Sequence, residues 1–536
     1  MATPQERFAQ ALNILKSLQE KGIVGIFTDD IPTARYRQLL IKNGFIREVT
    51  KGWYIARDPA EKDGETTSWY SSYWDFIAQY LNHKYGENWC LSAEQSLLLQ
   101  AGNWSVPKQL LVRSPEGNNR PTPLPHNTSL FNLRTDIPAA GQTVVSRGIR
   151  TYDMQSALIY SAATVYRSNA IDARTVLSMI RDASELLPIL LDNGHTVLAG
   201  RLAGAFRNIQ RERIADQIME TFRQAGYDIR ETEPFDHRLD INLSPKERSP
   251  YANRIRLMWM HMRPVVIANL PQEPGLPEDI GSFLKDIDDI YVTDAYNSLS
   301  IERYRVTPEL IGKVSSGKWN VFENEEDQRQ RDAMAARGYY QAFQAVKQTI
   351  EQILAGGNAG DLVDIAHSKW YRELFDPSVV AGLLKASDLA GYRNHQVYIG
   401  SSKHVPLSVD AMRDAMPVLF ELLQEETHAS VRAVLGHFIF VFIHPYMDGN
   451  GRMGRLLMNA MLASGGYPWT VIPFEKREEY MAALESASVQ QDIEPFAQFI
   501  GYLLTERLAG KMVAGLPAGK GEPGHNNLNL FPRTEG

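Results

Sequence analysis

The chain has 536 residues, a formal net charge of −7 and a single cysteine, Cys90. That length predicts about three domains. One cysteine excludes an intrachain disulfide and any multi-cysteine metal site, which fits a reducing, cytoplasmic setting. The apolar runs are too short to span a bilayer, so no membrane partner is expected. The opening Ala2-Thr3-Pro4-Gln5-Glu6 leads into an amphipathic segment rather than a secretory leader.

In chain order, apolar spacing predicts a helix over Arg7–Leu18, a second starting at Thr28-Asp29-Asp30 and a third over Ala34–Lys42, closed by Asn43-Gly44. Phe45–Val49, the turn Thr50-Lys51-Gly52 and Trp53–Ala56 read as a β-hairpin. Three short helices and a hairpin describe a winged helix-turn-helix over residues 1–58. Residues 31–57 carry Arg35, Arg37, Lys42, Arg47, Lys51 and Arg57 against the one acid Glu48. A local basic patch on an acidic chain predicts DNA-backbone contact, with Arg35, Arg37, Lys42 and Lys51 as the candidate DNA-binding residues. A solvated basic face on a protein-contact module is the alternative.

Asp58–Ser68 is polar and reads as a linker. A second unit follows over 66–240, containing Cys90-Leu91-Ser92-Ala93-Glu94-Gln95-Ser96-Leu97 and Arg150-Thr151-Tyr152-Asp153-Met154-Gln155-Ser156-Ala157-Leu158. With the front end, these segments resemble AbiEi-type antitoxin and transcriptional-regulator proteins. The resemblance implies an α+β middle domain and binding to the protein's own promoter DNA. Residues 241–277 read as a linker or helical connector. They are polar with two prolines over Leu243–Tyr251, and Leu270–Pro277 is a breaker.

The richest segment is His444-Pro445-Tyr446-Met447-Asp448-Gly449-Asn450-Gly451-Arg452-Met453-Gly454-Arg455. An apolar helix is predicted before it, over His428–Ile443, and another after it, over Arg452–Ala463. Pro445 stops the first helix, and Asp-Gly-Asn-Gly is turn-forming sequence. Free N–H groups at the second helix's start, beside glycines, form an anion site. Arg452 and Arg455, three apart, can share one face and hold two phosphates. Asp448 could hold Mg²⁺ on phosphate oxygens, and His444 could take a proton from an attacking hydroxyl. Each residue alone has an ordinary structural explanation; the ordered set between two helices does not.

This segment resembles the signature of the Fic family, His-Pro-Phe-x-Asp/Glu-Gly-Asn-Gly-Arg-x-x-Arg, with Tyr446 for the phenylalanine. The resemblance implies an all-α catalytic domain over 278–508 that transfers AMP from ATP to a hydroxyl side chain of a target protein. His444 would be the base and Asp448 the Mg²⁺ ligand. Asn450 and Arg452 would bind phosphates, Gly449 and Gly451 would shape the anion pocket, and Arg455 would hold the γ-phosphate. Gly391–Gly400, with strand-forming Val397-Tyr398-Ile399, resembles the family's β-hairpin flap, which clamps the target. Arg477–Leu484 resembles the base-pocket segment, with Tyr480 able to stack on adenine and Met481 where many relatives carry a second aromatic; on its own, Tyr480 reads as a helix core residue.

Ser298-Leu299-Ser300-Ile301-Glu302 resembles the family's inhibitory motif, on a helix expected at about 285–304. Glu302 would then pair with Arg455 and misplace ATP, with Arg303 standing where the family has Gly or Asn. The same glutamate serves AMP removal in some relatives, so addition and removal both stay open. So does a nucleotide-sensing regulator without transfer. The target, the DNA operator and the oligomeric state, a homo-oligomer included, are left open. The Gly/Pro/Asn-rich stretch 514–536 is expected to be a disordered tail.

Overall fold

Thr3 and Glu6 cap each other at the start of the first helix, Pro4–Glu20, with Pro4 at its first position. This is why the helix begins three residues before the expected start at Arg7. The computed structural model describes residues 3–61, 65–192, 194–237, 249–316, 327–389 and 391–517. The helix expected at Thr28 is a single 3₁₀ turn, Thr28–Asp30. Pro32 follows at once and drives Ile31 into extended geometry. Thr33 caps Ala34–Lys42, and Gly44, at φ +77°, turns the chain back. The hairpin Ile46–Thr50/Trp53–Ala56 gains a third strand, Ile26–Phe27, on its other edge. Ala11, Leu15, Ile26, Leu40 and Ile46 form the core between these helices and the sheet.

The helix Thr67–Tyr85 buries Trp69, Tyr73, Phe76, Ile77 and Leu81. Trp53 of the hairpin packs edge-on against Phe76 and Tyr80, and Gln79 accepts the N–H groups of Val24 and Gly25. A four-stranded mixed sheet follows, in the order Cys90–Leu91, Gln109–Ser114, Thr128–Arg134, Arg120–Leu124, whose middle pair is parallel. Helices including Ala170–Met179, Thr196–Asn208 and Glu212–Gln224 complete this half.

The stretch read as a connector holds a twenty-residue helix, Pro250–Asn269, that buries Ile255, Met258, Trp259 and Met262; residues 238–248 lie outside the described residues. It packs against Ala170–Met179 on one side and against Val409–Glu425 and Ala429–Ile443 on the other. Its Arg254 is buried and paired with buried Asp172, which also accepts from Asn103 and Gln491. One carboxylate thus joins the front half, this helix and the C-terminal half.

The C-terminal half is helical. Ala429–Ile443 lies at its centre and is apolar on nearly every face, as a helix surrounded by others must be. Asp327–Leu354 and Ala359–Val380 cross closely at Gly338, where a Cβ would come within 2.0 Å of Leu374 O. Ile280–Ile301 is the helix that carries the Ser298 motif. The expected β-hairpin flap is a correction: Gly391–Gly400 forms no paired strand among the described residues. Its polar groups go elsewhere. Buried Arg393 donates to the carbonyls of His444 (2.7 Å), His395 (2.9 Å) and Leu407, leaving an extended loop instead of a ladder. Of the expected tail, Ala514 is buried and Gly515 accepts from Asn297, while 518–536 lie outside the described residues. No helix among the described residues is long and apolar enough to cross a membrane.

Candidate active site

Helix Ala429–Ile443 ends on His444, in the left-handed region at φ 58° and ψ 61°, because Pro445 cannot continue it. His444 Nδ1 lies 3.1 Å from the Val441 carbonyl. Nδ1 therefore carries the proton and donates, leaving the Nε2 lone pair available. Burial pushes its pKa down to about 4, helped by Arg393 and opposed by the Val441 carbonyl, Glu302 and Asp448. The imidazole is neutral at pH 7, as a base must be. Because its folded pKa lies below the ordinary value, the unfolded chain binds more protons as pH falls from about 6.5 towards 4, and stability drains away over that window. A transfer rate that depends on neutral His444 should show no imidazole limb between about pH 5 and 8; an acid limb centred near 6.5 in a pH–rate profile contradicts the assignment.

The loop after His444 is held from beneath. Tyr446 is buried and stacked on Tyr371 at 3.7 Å. Its N–H donates to Asn450 Oδ1 (2.9 Å), and its carbonyl accepts from Asn450 Nδ2 (2.8 Å). The Asn450 side chain is thus committed to fixing the loop, where the resemblance implied a phosphate contact. Gly449, at φ +77°, lies against the Phe375 ring, which leaves no room for a Cβ.

Asn450–Ala463 then starts with no side-chain cap, so its first N–H groups are uncapped by any side chain. Arg452 is 1% exposed, between the rings of Tyr304 and Phe375 at about 5 Å from each. Its Nε and the Nη1 of Arg455 are buried without hydrogen-bond partners. Two orphaned guanidinium donors beside an open helix start suit an anion. Asp448 is exposed, 3.6 Å from Arg452. No group of three or more metal-ligating side chains occurs among the described residues. A single carboxylate completed by phosphate oxygens and water is nonetheless what Mg²⁺ takes, so the residues fit that ion.

The Ser298 motif sits directly on this loop. Arg455 donates from Nε to Ser298 Oγ (2.9 Å), and from Nη2 to the Ser298 carbonyl (3.0 Å) and to Glu302 Oε1 (2.7 Å). A Cβ on Gly451 would meet Glu302 Oε1 at 2.3 Å, so the carboxylate lies against the helix's first turn, where an anion would go. Burial pushes the Glu302 pKa up, but Arg455, Arg452 and Arg477 outweigh it and hold the carboxyl below its usual range.

The turn after Glu302 explains its geometry. Arg303 N–H donates to Ser300 O (2.9 Å) and Tyr304 N–H to Leu299 O (3.1 Å), a Schellman arrangement with Arg303 at φ +67°. Glycine is favoured there, and a side chain is strained. Replacing Arg303 by glycine should stabilise the fold by about 0.5–1 kcal/mol. Chemical denaturation reads this, and a destabilised R303G would show that the guanidinium contributes more than the strain costs.

Glu302, Arg303, His444, Gly451 and Arg455 border one cavity of about 500 Å³, with Ile399 and Met481 also in its lining. Tyr480 also borders it but is 1% exposed, its hydroxyl on His437 Nε2 (2.8 Å) and its ring packed on Phe496 and Phe499. It shapes the wall rather than offering a free stacking face. Sequence reading missed two arginines. Arg393 ties the loop Gly391–Gly400 to the His444 carbonyl, and Arg477 donates from Nε to the Ile301 carbonyl (2.8 Å). Both act on backbone oxygens, which no residue pattern reveals. None of the four candidate DNA residues borders the cavity. Arg35, Lys42 and Lys51 are exposed, while Arg37 lies over the Tyr54 ring and 3.4 Å from Thr28 O.

Residues 361–462 match the Fic/DOC family. The chain is 40% identical over 113 residues to a protein adenylyltransferase Fic of Drosophila willistoni, covering 20% of this chain and 22% of that protein. It is 29% identical over 223 residues to the protein of that name from Nematostella vectensis, covering 40% and 47% respectively. The chain therefore spans about a fifth to a half of the length of these relatives. A solved structure of Fic-1 (aa134–508) from C. elegans superposes with a TM-score of 0.36 at 15% identity, covering 63% of this chain and 86% of that one.

Proposed function

We propose that the chain transfers AMP from ATP to a hydroxyl side chain of a target protein, and that Glu302 restrains this activity. The observation that carries the reading is the shared cavity: a neutral imidazole with a free Nε2, an uncapped helix start and Arg455 with an orphaned donor all border it, and buried Arg452 lies one residue beyond the cavity-lining Gly451. Bound Mg²⁺, held by Asp448, would neutralise phosphate charge. The hydroxyl oxygen attacks the α-phosphorus and its proton passes to His444 Nε2. The bond from that phosphorus to the β-bridging oxygen breaks, and pyrophosphate leaves. The first N–H groups of Asn450–Ala463, with Arg452 and Arg455, stabilise the developing charge. With Glu302 in place, Arg455 is occupied and the polyphosphate cannot reach it. A complex of E302G with a non-hydrolysable ATP analogue should place the α-phosphorus beside His444, with an acceptor hydroxyl in reach at about 2.6–3.2 Å. An analogue bound elsewhere, or an imidazole turned from the α-phosphorus, overturns the reading.

The exposed Arg35, Lys42 and Lys51 on the front helix and hairpin turn favour a second, independent role in binding DNA, with residues 1–58 as a winged helix and 66–240 as an attached regulator domain. Binding to the protein's own upstream DNA should weaken as salt rises, and R35A/K42A/K51A should flatten that salt slope by about two to three units. An unchanged slope in a gel-shift titration argues against a DNA face here.

A further inference from the structure

The segment that follows the expected flap, residues 402–405, is fastened beside the cavity by two parts of the chain that lie far apart in sequence. From the catalytic half, Glu485 sits at the end of helix Arg477–Glu485 and borders the cavity. Its carboxylate accepts from the Ser402 hydroxyl on one oxygen and from the Lys403 N–H on the other (2.9 Å). From the front half, the Val106 N–H donates to the Lys403 carbonyl (2.9 Å). Val405 is buried in the front half's aromatic core with Trp69, Trp74 and Trp104. His404 lies between these anchors, stacked on Phe442 at 4.2 Å and bonded to the Phe442 carbonyl, two residues before His444.

A loop without a ladder has few bonds of its own to hold its shape. Here one carboxylate with two donors and one amide from another domain replace the ladder. Ile399, Gly400, Ser401 and Ser402 border the cavity just before this clamp, so its grip sets how they face an incoming segment.

We infer that Glu485 is a positioning residue which, with Val106, straps residues 399–405 over the cavity and fixes the register of the acceptor segment, so that the front half is a working part of the transfer site. The inference rests on the adenylyl-transfer reading for its consequence, but not for its first test.

That test is hydrogen–deuterium exchange on the full chain, with E485A and E485Q made in the E302G background. In E485A, exchange over residues 399–405 should rise about tenfold without nucleotide present. The Gln variant keeps an acceptor for the Lys403 N–H and should recover most of the protection. Self-labelling with α-labelled ATP gives the second readout. The maximal rate should fall about tenfold in E485A, by more than the nucleotide KM rises, and return towards the parent in E485Q. Unchanged exchange in E485A overturns the strap. Equal loss of nucleotide binding in both variants also overturns it, since Glu485 would then be serving the nucleotide. If exchange changes as expected while the E302G parent shows no labelling, the strap stands and the transfer reading fails.

Discussion

Replacing His444 by alanine should lower the rate of label transfer by about 10²–10⁴-fold, the range expected for loss of a positioned general base. The fold should survive, because the ring contributes one hydrogen bond, to the Val441 carbonyl, and the left-handed turn is enforced by Pro445. Nucleotide affinity should fall far less than the rate. The proposed phosphate donors are the helix start at Asn450 and Arg452 and Arg455, none of which depends on the imidazole. Single-turnover labelling beside equilibrium nucleotide binding separates the two effects. A rate loss below tenfold would move the base elsewhere, and a matching loss of affinity would make His444 a binding residue.

The second large effect concerns Glu302. Its replacement by glycine should raise transfer by about 5–150-fold, corresponding to a coupling of about 1–3 kcal/mol between the brake and nucleotide binding. The carboxylate occupies Arg455 and lies against the first turn of Asn450–Ala463, so an incoming phosphate must displace it. The same substitution should cost stability, because Arg455 is 3% exposed and loses its counter-charge. The loss should be smaller than the roughly 3–5 kcal/mol of a fully buried pair, since cavity water can reach the vacated side. Tyr304 over Arg452 and Arg477 on the Ile301 carbonyl remain in E302G, so the helix end should stay in place. Unchanged labelling in E302G, with Mg·ATP saturating, would mean that the Glu302–Arg455 pair does not control access.

How much of this was legible in the sequence follows from the kind of contact involved. The loop residues are local: His444 through Arg455 span one turn and two helix ends, so their order already states which groups converge. The pairing of Arg455 with Glu302 crosses 153 residues. Only the family likeness of Ser298–Glu302 could suggest it, since no periodicity joins the two. The left-handed turn at Arg303 could be read only through the same likeness, which has Gly or Asn at that position, because the arginine itself does not announce it. Tyr480 carries two readings, a helix core residue on its own and an adenine-stacking face by resemblance, and its contacts match the first. An aromatic in a base-pocket segment reads as a stacking platform, yet its hydroxyl finds His437 and its ring joins the core. Val397-Tyr398-Ile399 has strand propensity but no facing strand among the described residues, and propensity without a partner does not make a ladder. The helix Pro250–Asn269 lies within the stretch read as a linker or helical connector, but the prolines that punctuate that stretch gave no sign that the helix is buried and central.

The most direct measurement is a paired labelling experiment on E302G with Mg²⁺, using ATP labelled at the α-phosphate in one reaction and at the γ-phosphate in the other. Adenylyl transfer predicts label retained on protein from the α-position, none from the γ-position, and none from either once His444 is alanine. Label from the γ-position, or α-label that persists in the E302G/H444A double variant, would contradict the account.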